Sequence, residues 1–451
     1  MTSLNEQFAG RLERLGIRIP EVLLPKAGVE LATWSVVACD QYTSDHAYWN
    51  EVDALVGDKP STLRITLPEI YLEQPGIEAR IGKIHATMAD YLAGNILENK
   101  GESLIYVKRT TAHSGTREGI LFAMDLERYN YARDSKSLIR ATEGTIVDRI
   151  PPRLAVRRAA PLELPHIMIL IQDSARTLIE GLALQATQFE PAYDVELMQH
   201  GGRLQGWRIN QPAQVESIVS GLEKLLDKTI ADQNSDTPLF FAMGDGNHSL
   251  ATAKARWEET KQELAAAGKS QEEILAHPAR YALAEIVNIH SPGLMFEPIH
   301  RVVFTRDIAG LTAALKASEE IAGIEPITEA DLQTLLASPA GQNKAGYYDG
   351  QQFWAISYKP EVKKLPPGLV DELFARFKAS EPAARIDFIH GWEDNKKLAA
   401  EGAGCFFLPV IARESLFGWV QENGPLPRKS FSMGEAEEKR YYMEARRITA
   451  G

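Results

Sequence analysis

Only two cysteines, Cys39 and Cys405, occur in the 451 residues. Two thiols so far apart make neither a disulfide framework nor a zinc-ligand pattern, and they fit a reducing compartment. Long apolar runs are missing too. None reaches the length that spans a bilayer, and the opening MTSLNEQFAGRLERLG has no apolar core of a secretion signal. A cytoplasmic protein without a membrane partner is therefore expected. Positive charge is in deficit, with 49 Lys and Arg against 61 Asp and Glu, a net charge of −12. That balance speaks against a large nucleic-acid or anionic-membrane surface, while a local basic site remains compatible with it. There is no internal repeat and no low-complexity segment, and the sequence does not specify an oligomeric state. What is present is ordinary globular composition, 44% hydrophobic and 24% charged. The length exceeds one hydrophobic core, and three parts are expected at 1–133, 134–305 and 306–451.

The chain is organised around Thr237–Leu264, TPLFFAMGDGNHSLATAKARWEETKQEL. Leu239–Met243 is short, apolar and aromatic, the pattern of a buried strand. After Gly244-Asp245-Gly246-Asn247 the apolar residues Leu250, Ala253, Trp257 and Leu264 resume at helical spacing. Asn247 or Ser249 is the expected cap, since each offers an oxygen to the unpaired N–H groups of the helix. A strand, a glycine-rich turn and a helix start aim free amides and a positive dipole end at one place. Such a place suits an anion, most often a phosphate. Asp245, Asn247 and His248 in the same turn are able to hold a metal, orient a substrate or move a proton. The bland reading is a turn that carries glycine only because its backbone needs positive φ. The stretch matches neither GxxxxGK[ST] nor GxGxxG. Three chemically capable side chains at glycine-spaced positions tip the balance toward a functional loop.

Residues 134–158 are the most basic region, with Arg140, Arg149, Arg153, Arg157 and Arg158 beside Thr142, Glu143 and Thr145. Such a concentration neutralises a phosphorylated ligand through bidentate guanidinium contacts. A solvated face whose arginines pair with nearby carboxylates explains it equally well. Pro151-Pro152 interrupts any single long helix there. Earlier, residues 31–38 read as a strand that ends in the polar turn Cys39–Ser44, where Asp40 is a candidate. Good capping chemistry alone accounts for that turn, with Ser44 or Asp45 starting a helix to about Leu55 that turns Trp49 and Val52 inward.

The coarse pattern adds a short strand at Leu63–Leu67, a helix from about Gly76 to Asn95, and an antiparallel pair at 104–108 and 119–126. A strand at 166–172, a helix at 175–185 and a hairpin of 193–198 with 203–210 follow. Then come a helix at 215–226 and strands at 281–289 and 294–304. His300, inside an apolar strand, fits a satisfied core residue better than a ligand. Two helical segments within 308–340 and a hairpin at 344–358 lead to a last part. It alternates helix 367–378, strand 385–390, helix 393–401, strand 404–411 and helix 413–422, which indicates parallel pairing. The end begins at Arg428-Lys429-Ser430 and finishes as a charged helical tail. The fold class is mixed α/β, with mixed sheets flanked by helices.

The segments VVACDQY (36–42), IRATEGTIVDRIPPR (139–153), FFAMGDGNHSLATAK (240–254), ARYALAEIVNIHSPGLMFEPIHRVVF (279–304) and PLPRKSF (425–431) resemble a bacterial and archaeal family of domains of unknown function. Members of that family usually read PPYDV where this chain has ACDQY, HExT where it has ATEGT, and DGHHR where it has DGNHS. Ala141 thus stands where the family has histidine, Asn247 replaces another, and Ser249 replaces an arginine. The DGHHR-type turn in turn resembles the phosphate-binding turn of the ParB and sulfiredoxin-like superfamily, which includes a nucleotide-dependent free-serine kinase and CTP-binding partition proteins. Carried over, the resemblance implies ParB/sulfiredoxin-like elements and a phosphate cradle at Gly244, Asp245, Gly246, Asn247, His248 and Ser249. Lys254 is a candidate to stand in for the lost arginine.

The leading expectation is an enzyme acting on a phosphorylated small molecule or nucleotide, of small-molecule kinase type. Amides of the turn hold the phosphate, while Arg149, Arg153 and Arg157, with Lys429, neutralise charge. Asp245 ligates Mg²⁺ or serves as base, and His248 and Asp40 are further acid/base candidates. The cofactors expected are Mg²⁺ and a nucleotide. A non-catalytic nucleotide- or metabolite-binding protein is the alternative. A ParB-like DNA-binding or nuclease role ranks last, because the acidic balance and the lack of an evident helix-turn-helix leave little surface for DNA phosphates.

Overall fold

In the structure, a computed structural model that describes residues 2–94 and 96–450, the apolar run at 104–107 and the alternating run at 119–125 become neighbouring strands. Their side chains point alternately to two faces. Leu104, Tyr106, Ile120, Phe122 and Met124 enter one core, and Ile105, Val107 and Leu121 enter another. The chain forms two compact units, Met1–Met295 with Gly434–Gly451, and Phe296–Met433. Strands from both sides of the expected 133/134 border lie in one sheet of the first unit.

The strands of that sheet are β1 (Ile17–Arg18), β2 (Leu104–Thr111), β3 (Gly115–Asp125), β4 (Tyr129–Asn130), β5 (Ile139–Arg140), β6 (Met168–Ile171), β7 (Glu190–Leu197), β8 (Gly202–Ile209), β9 (Phe241–Asp245) and β10 (Tyr281–Asn288). They lie in the order β7-β8-β2-β3-β10-β6-β9-β5-β4, with β1 also on β3. Parallel pairs (β10 with β6, β9 with β5, β5 with β4) mix with antiparallel ones such as β9 with β6. The fold is mixed α/β. Helices α1 (His46–Val56), α2 (Ile77–Ala93), α3 (Ile150–Arg158), α4 (Pro212–Gln233) and α5 (Asn247–Ala266) flank it. Val215, Val219 and Leu222 of α4 and Leu250 and Trp257 of α5 cover one face, while Trp49 and Val52 of α1 and Met88 of α2 cover the other. Asp45 caps α1 by accepting the Tyr48 N–H at 3.0 Å. The expected end of α2 at Asn95 lies outside the described residues. Pro151 and Pro152 do not break a helix but open α3, where their missing N–H groups cost nothing.

Several expectations fail where the partner is distant in sequence. Leu31–Trp34 is a short helix, and only Val37 pairs like a strand, with Tyr441. Thr62–Arg64 is a 3₁₀ turn instead of the start of a strand. The helix expected over 175–185 shrinks to Ile179–Ala183. The charged tail is no helix but an irregular segment with Lys439, Arg440, Tyr441, Tyr442, Glu444 and Arg446 buried. Its charges are met inside: Arg440 pairs with Glu285 at 2.8 Å and with Glu444 at 2.9 Å, and Arg446 pairs with Glu163 at 2.6 Å.

The second unit has the strands β11 (Phe296–Phe304), β12 (Ile321–Ile327), β13 (Lys344–Tyr348), β14 (Phe353–Tyr358), β15 (Arg385–His390), β16 (Ala403–Phe407) and β17 (Phe431–Met433). Their order is β12-β14-β13-β16-β11-β15, with β17 also on β11. Parallel pairing was the expectation for 385–411, yet β15 and β16 each pair antiparallel with β11. The helix α6 (Trp392–Ala400) still carries the chain from β15 to β16 in the same direction. β11, made earlier in the sequence, occupies the slot between them, so the β-α-β unit is split. No helix among the described residues is long and apolar enough to cross a membrane.

Candidate functional site

The central turn is built by a bulge followed by a left-handed residue. Pairing of β9 with β6 shifts register between Met243 and Asp245, which leaves Gly244 as the extra residue and re-aims Asp245. Gly246 then turns at φ 78°, a conformation that suits glycine. A Cβ at this position would stand 3.1 Å from the Ile167 Cα and 3.6 Å from the His166 Cδ2. The helix α5 begins at Asn247 with Gly246 as its cap residue and no side-chain cap. The expected caps do otherwise. Ser249 Oγ lies 2.6 Å from His166 Nε2, and Asn247 Oδ1 is buried without a hydrogen-bond partner among the described residues. The open first turn of a twenty-residue helix is an anion-attracting end.

Side chains from three other regions converge here. Lys439, from the terminal segment, places Nζ 3.4 Å from Asp245 Oδ2, and the Gly246 N–H donates to Asp245 Oδ1 at 2.9 Å. His166, just ahead of β6, has its Nδ1 3.1 Å from the Tyr442 hydroxyl, whose oxygen accepts the Cys39 N–H at 3.0 Å. Asp40 Oδ2 stands 3.9 Å from His166 Nε2. Burial alone would raise the Asp40 carboxyl, but His166, a hydrogen bond from Gln41 and the Lys439 charge hold it below its ordinary value. Glu69 shifts the opposite way. Burial and the negative charge of Asp40 push it up against the pull of Arg153. Two neighbouring carboxyls pushed in opposite directions are the pattern of an acid and a base sharing a site.

Of the residues expected from sequence, Asp40, Asp245, Gly246 and Ser249 meet around His166 and Lys439. His248 Nε2 accepts the Ile146 N–H at 3.4 Å. The arginine cluster is taken up by carboxylates: Arg153 Nε donates to Glu69 at 2.6 Å, Arg157 pairs with Glu163, and Arg158 pairs with Glu259 at 2.6 Å. Arg149 is exposed, and Arg140 is buried against the Ser137 and Thr237 carbonyls. Lys254 pairs with Glu258 at 2.7 Å. Lys429 belongs to the second unit, where its carbonyl accepts from Arg301. His300, also there, is a satisfied core residue whose Nδ1 accepts the Leu408 N–H at 3.1 Å. His166, Lys439, Tyr442 and Glu69 were not singled out from sequence. Only the position of His166 before an apolar strand was a local hint.

A cleft of about 140 Å³ opens beside this cluster, and Ser249, His166, Thr252, Tyr442, Glu69 and Arg153 line its polar part. For Mg²⁺ the fit is partial. Asp245 offers one carboxylate, already engaged by Lys439 and the Gly246 N–H. Among the described residues, groups of three mutually close His, Cys, Asp or Glu ligands do not include Asp245 or Asp40. A Mg²⁺ there would arrive on the phosphates of its ligand, held by water and one or two carboxylates.

A protein-family profile described as "Protein of unknown function (DUF1015)" matches residues 23–382, and the chain belongs to that family. No curated protein matches it by sequence. Among solved structures, a free serine kinase in complex with AMP is 10% identical, with 76% of this chain and 94% of that chain covered and a TM-score of 0.36. A conserved hypothetical protein from Pyrococcus furiosus is 10% identical over 73% and 95%, with a TM-score of 0.33. SbnI with a C-terminal truncation, from Staphylococcus aureus, is 9% identical over 70% and 82%, with a TM-score of 0.35.

Proposed function

We propose that this DUF1015 protein binds the phosphates of a nucleotide at the first turn of α5 and transfers a phosphoryl group to a small molecule. The observation that carries the reading is the Lys439–Asp245 pair in front of a long helix with no side-chain cap. The first-turn amides and Lys439 supply positive charge where a phosphate accumulates negative charge in the transition state. Asp245 sits beside that charge as the residue to meet a phosphate-borne Mg²⁺. His166, with Asp40 at 3.9 Å, is the base that takes a proton from the attacking hydroxyl. The resemblance of the turn to phosphate-binding turns of ParB and sulfiredoxin-like proteins supports the same placement. Arg153 remains a candidate contact because it lines the cleft. Arg149, Arg157 and Lys429 have no place in this reading.

A thermal-shift screen of ATP, CTP, GTP and their diphosphates, with and without Mg²⁺, tests it. A ligand at one hundred times its dissociation constant adds about 2.7 kcal/mol of stability. The expected result is a shift with one nucleotide that Asp245→Ala abolishes. No shift with any phosphate compound sinks the reading.

A further inference from the structure

The cleft beside the phosphate turn is specific in its chemistry. Its wall is largely apolar, with Ile65, Leu67, Leu72, Met88, Val156 and Leu283 among the lining residues. The charged groups in that wall already have partners, Arg153 with Glu69, and Glu163 with both Arg157 and Arg446. A zwitterionic or polyhydroxyl ligand would find few unmatched charges there, and its own desolvation would go uncompensated. At one end stand a hydroxyl and an imidazole in contact, Ser249 Oγ and His166 Nε2 at 2.6 Å. An apolar pocket with a few convergent polar groups fixes one polar atom of a ligand and buries the rest.

We propose that this cleft holds the phosphoryl acceptor, and that the acceptor is a compact, uncharged alcohol with an apolar body. The inference rests on the phosphotransfer reading above and names its substrate class. The volume, about 140 Å³, is close to that of an apolar cavity able to hold benzene, about 150 Å³. It therefore takes a ring or branched chain of similar size. In the His166 tautomer with its proton on Nδ1, donated to the Tyr442 oxygen, Nε2 is an acceptor. The acceptor hydroxyl displaces the Ser249 hydroxyl from Nε2 and keeps Ser249 Oγ as a second partner. In the transfer, the bond between this oxygen and the terminal phosphorus of a nucleoside triphosphate forms. The bond from that phosphorus to the bridging oxygen breaks, the hydroxyl proton passes to His166 Nε2, and the nucleoside diphosphate leaves.

Binding is tested without nucleotide, by ligand-observed NMR on the full chain with benzyl alcohol and cyclohexanol as probes and with toluene, serine and glycerol as comparators. The alcohols are expected to bind at least tenfold tighter than toluene, with serine and glycerol not bound. In Ser249→Ala the preference for benzyl alcohol over toluene should shrink toward unity. In Val156→Phe, which fills the cleft, both should be lost. Binding of serine or glycerol in preference to the alcohols overturns the proposal. So does unchanged alcohol binding in a folded Val156→Phe. Should that variant not fold, the alcohol-to-toluene ratio of the natural chain decides alone. No nucleotide is present in these measurements, so their failure leaves the phosphate reading standing. The nucleotide screen, in turn, can fail with alcohol binding intact.

Discussion

Lys439 and Asp245 approach to 3.4 Å although one lies near the end of the chain and the other closes a strand of the central sheet. Lys439 is 7% exposed, so its ammonium is directed at the site and not at solvent. If it holds phosphate, Lys439→Met should weaken nucleotide binding about tenfold, which corresponds to about 1.4 kcal/mol. Lys439→Arg should recover part of the loss. Titration calorimetry on variants with unchanged circular dichroism checks this. An unchanged dissociation constant in Lys439→Met would leave the lysine as nothing more than a partner for Asp245.

Gly246 carries two constraints at once, a φ of 78° and a backbone neighbour within 3.1 Å of where a Cβ would stand. Gly246→Ala should therefore cost about 1–2 kcal/mol from the left-handed backbone alone, before any contact with Ile167. Asn tolerates this conformation better, but its larger side chain meets the same wall. Gly246→Asn should accordingly be no milder than Gly246→Ala. Urea unfolding of the two variants distinguishes the constraints. A clearly milder Asn variant would mean that φ alone matters.

The helix α5 was legible because Leu250, Ala253 and Trp257 repeat at helical spacing, and the hairpin of β7 and β8 because its strands alternate around a glycine turn. Both signals are local. Gly246 was legible as a turn residue, but its closeness to His166 was not, since β6 enters from a different part of the chain. The tail 439–447 misled for the same reason. Its dense charges imply a solvated helix, whereas Glu163 and Glu285 are the buried partners that let Arg440 and Arg446 go inside. Val36–Ala38 reads as a strand, yet what it pairs with is that tail: the Tyr442 N–H donates to the Val36 carbonyl at 2.9 Å. Half of the candidate site thus depends on contacts that no local pattern announces.

In the second unit, burial, with His390 and Arg301 nearby, lowers the His300 imidazole from 6.5 to about 3. As pH falls through about 6.5 the unfolded chain takes up a proton that the folded unit refuses until about 3. Stability must therefore fall on acidification across that window, by up to about 1.4 kcal/mol per pH unit. His300→Gln keeps an acceptor for the Leu408 N–H and should flatten the slope. Urea midpoints between pH 4 and 7 decide. An equal slope in both proteins would assign the effect to other groups.

Arg440 is 4% exposed and bridges two carboxylates more buried still, Glu285 at 2.8 Å and Glu444 at 2.9 Å. One of its nitrogens also donates to the Pro165 carbonyl at 2.8 Å, next to His166. Replacing it by methionine leaves Glu444 without a guanidinium and Glu285 with only Arg117, 3.6 Å away, and a broken buried pair costs about 3–5 kcal/mol. R440M should lose that much near neutral pH. Adding E285Q and E444Q removes the charges that lost Arg440 and should restore part of the stability at neutral pH, the rest being withheld because Arg117 then loses Glu285. It should not restore the Pro165 contact, so nucleotide or alcohol binding at the His166 end is expected to stay weakened in the triple variant. Denaturant unfolding and ligand binding measured on the same three proteins separate the two roles. If R440M costs less than about 1 kcal/mol, the terminal segment is only draped over the site. If the triple variant regains both stability and binding, the segment supports the fold without orienting His166.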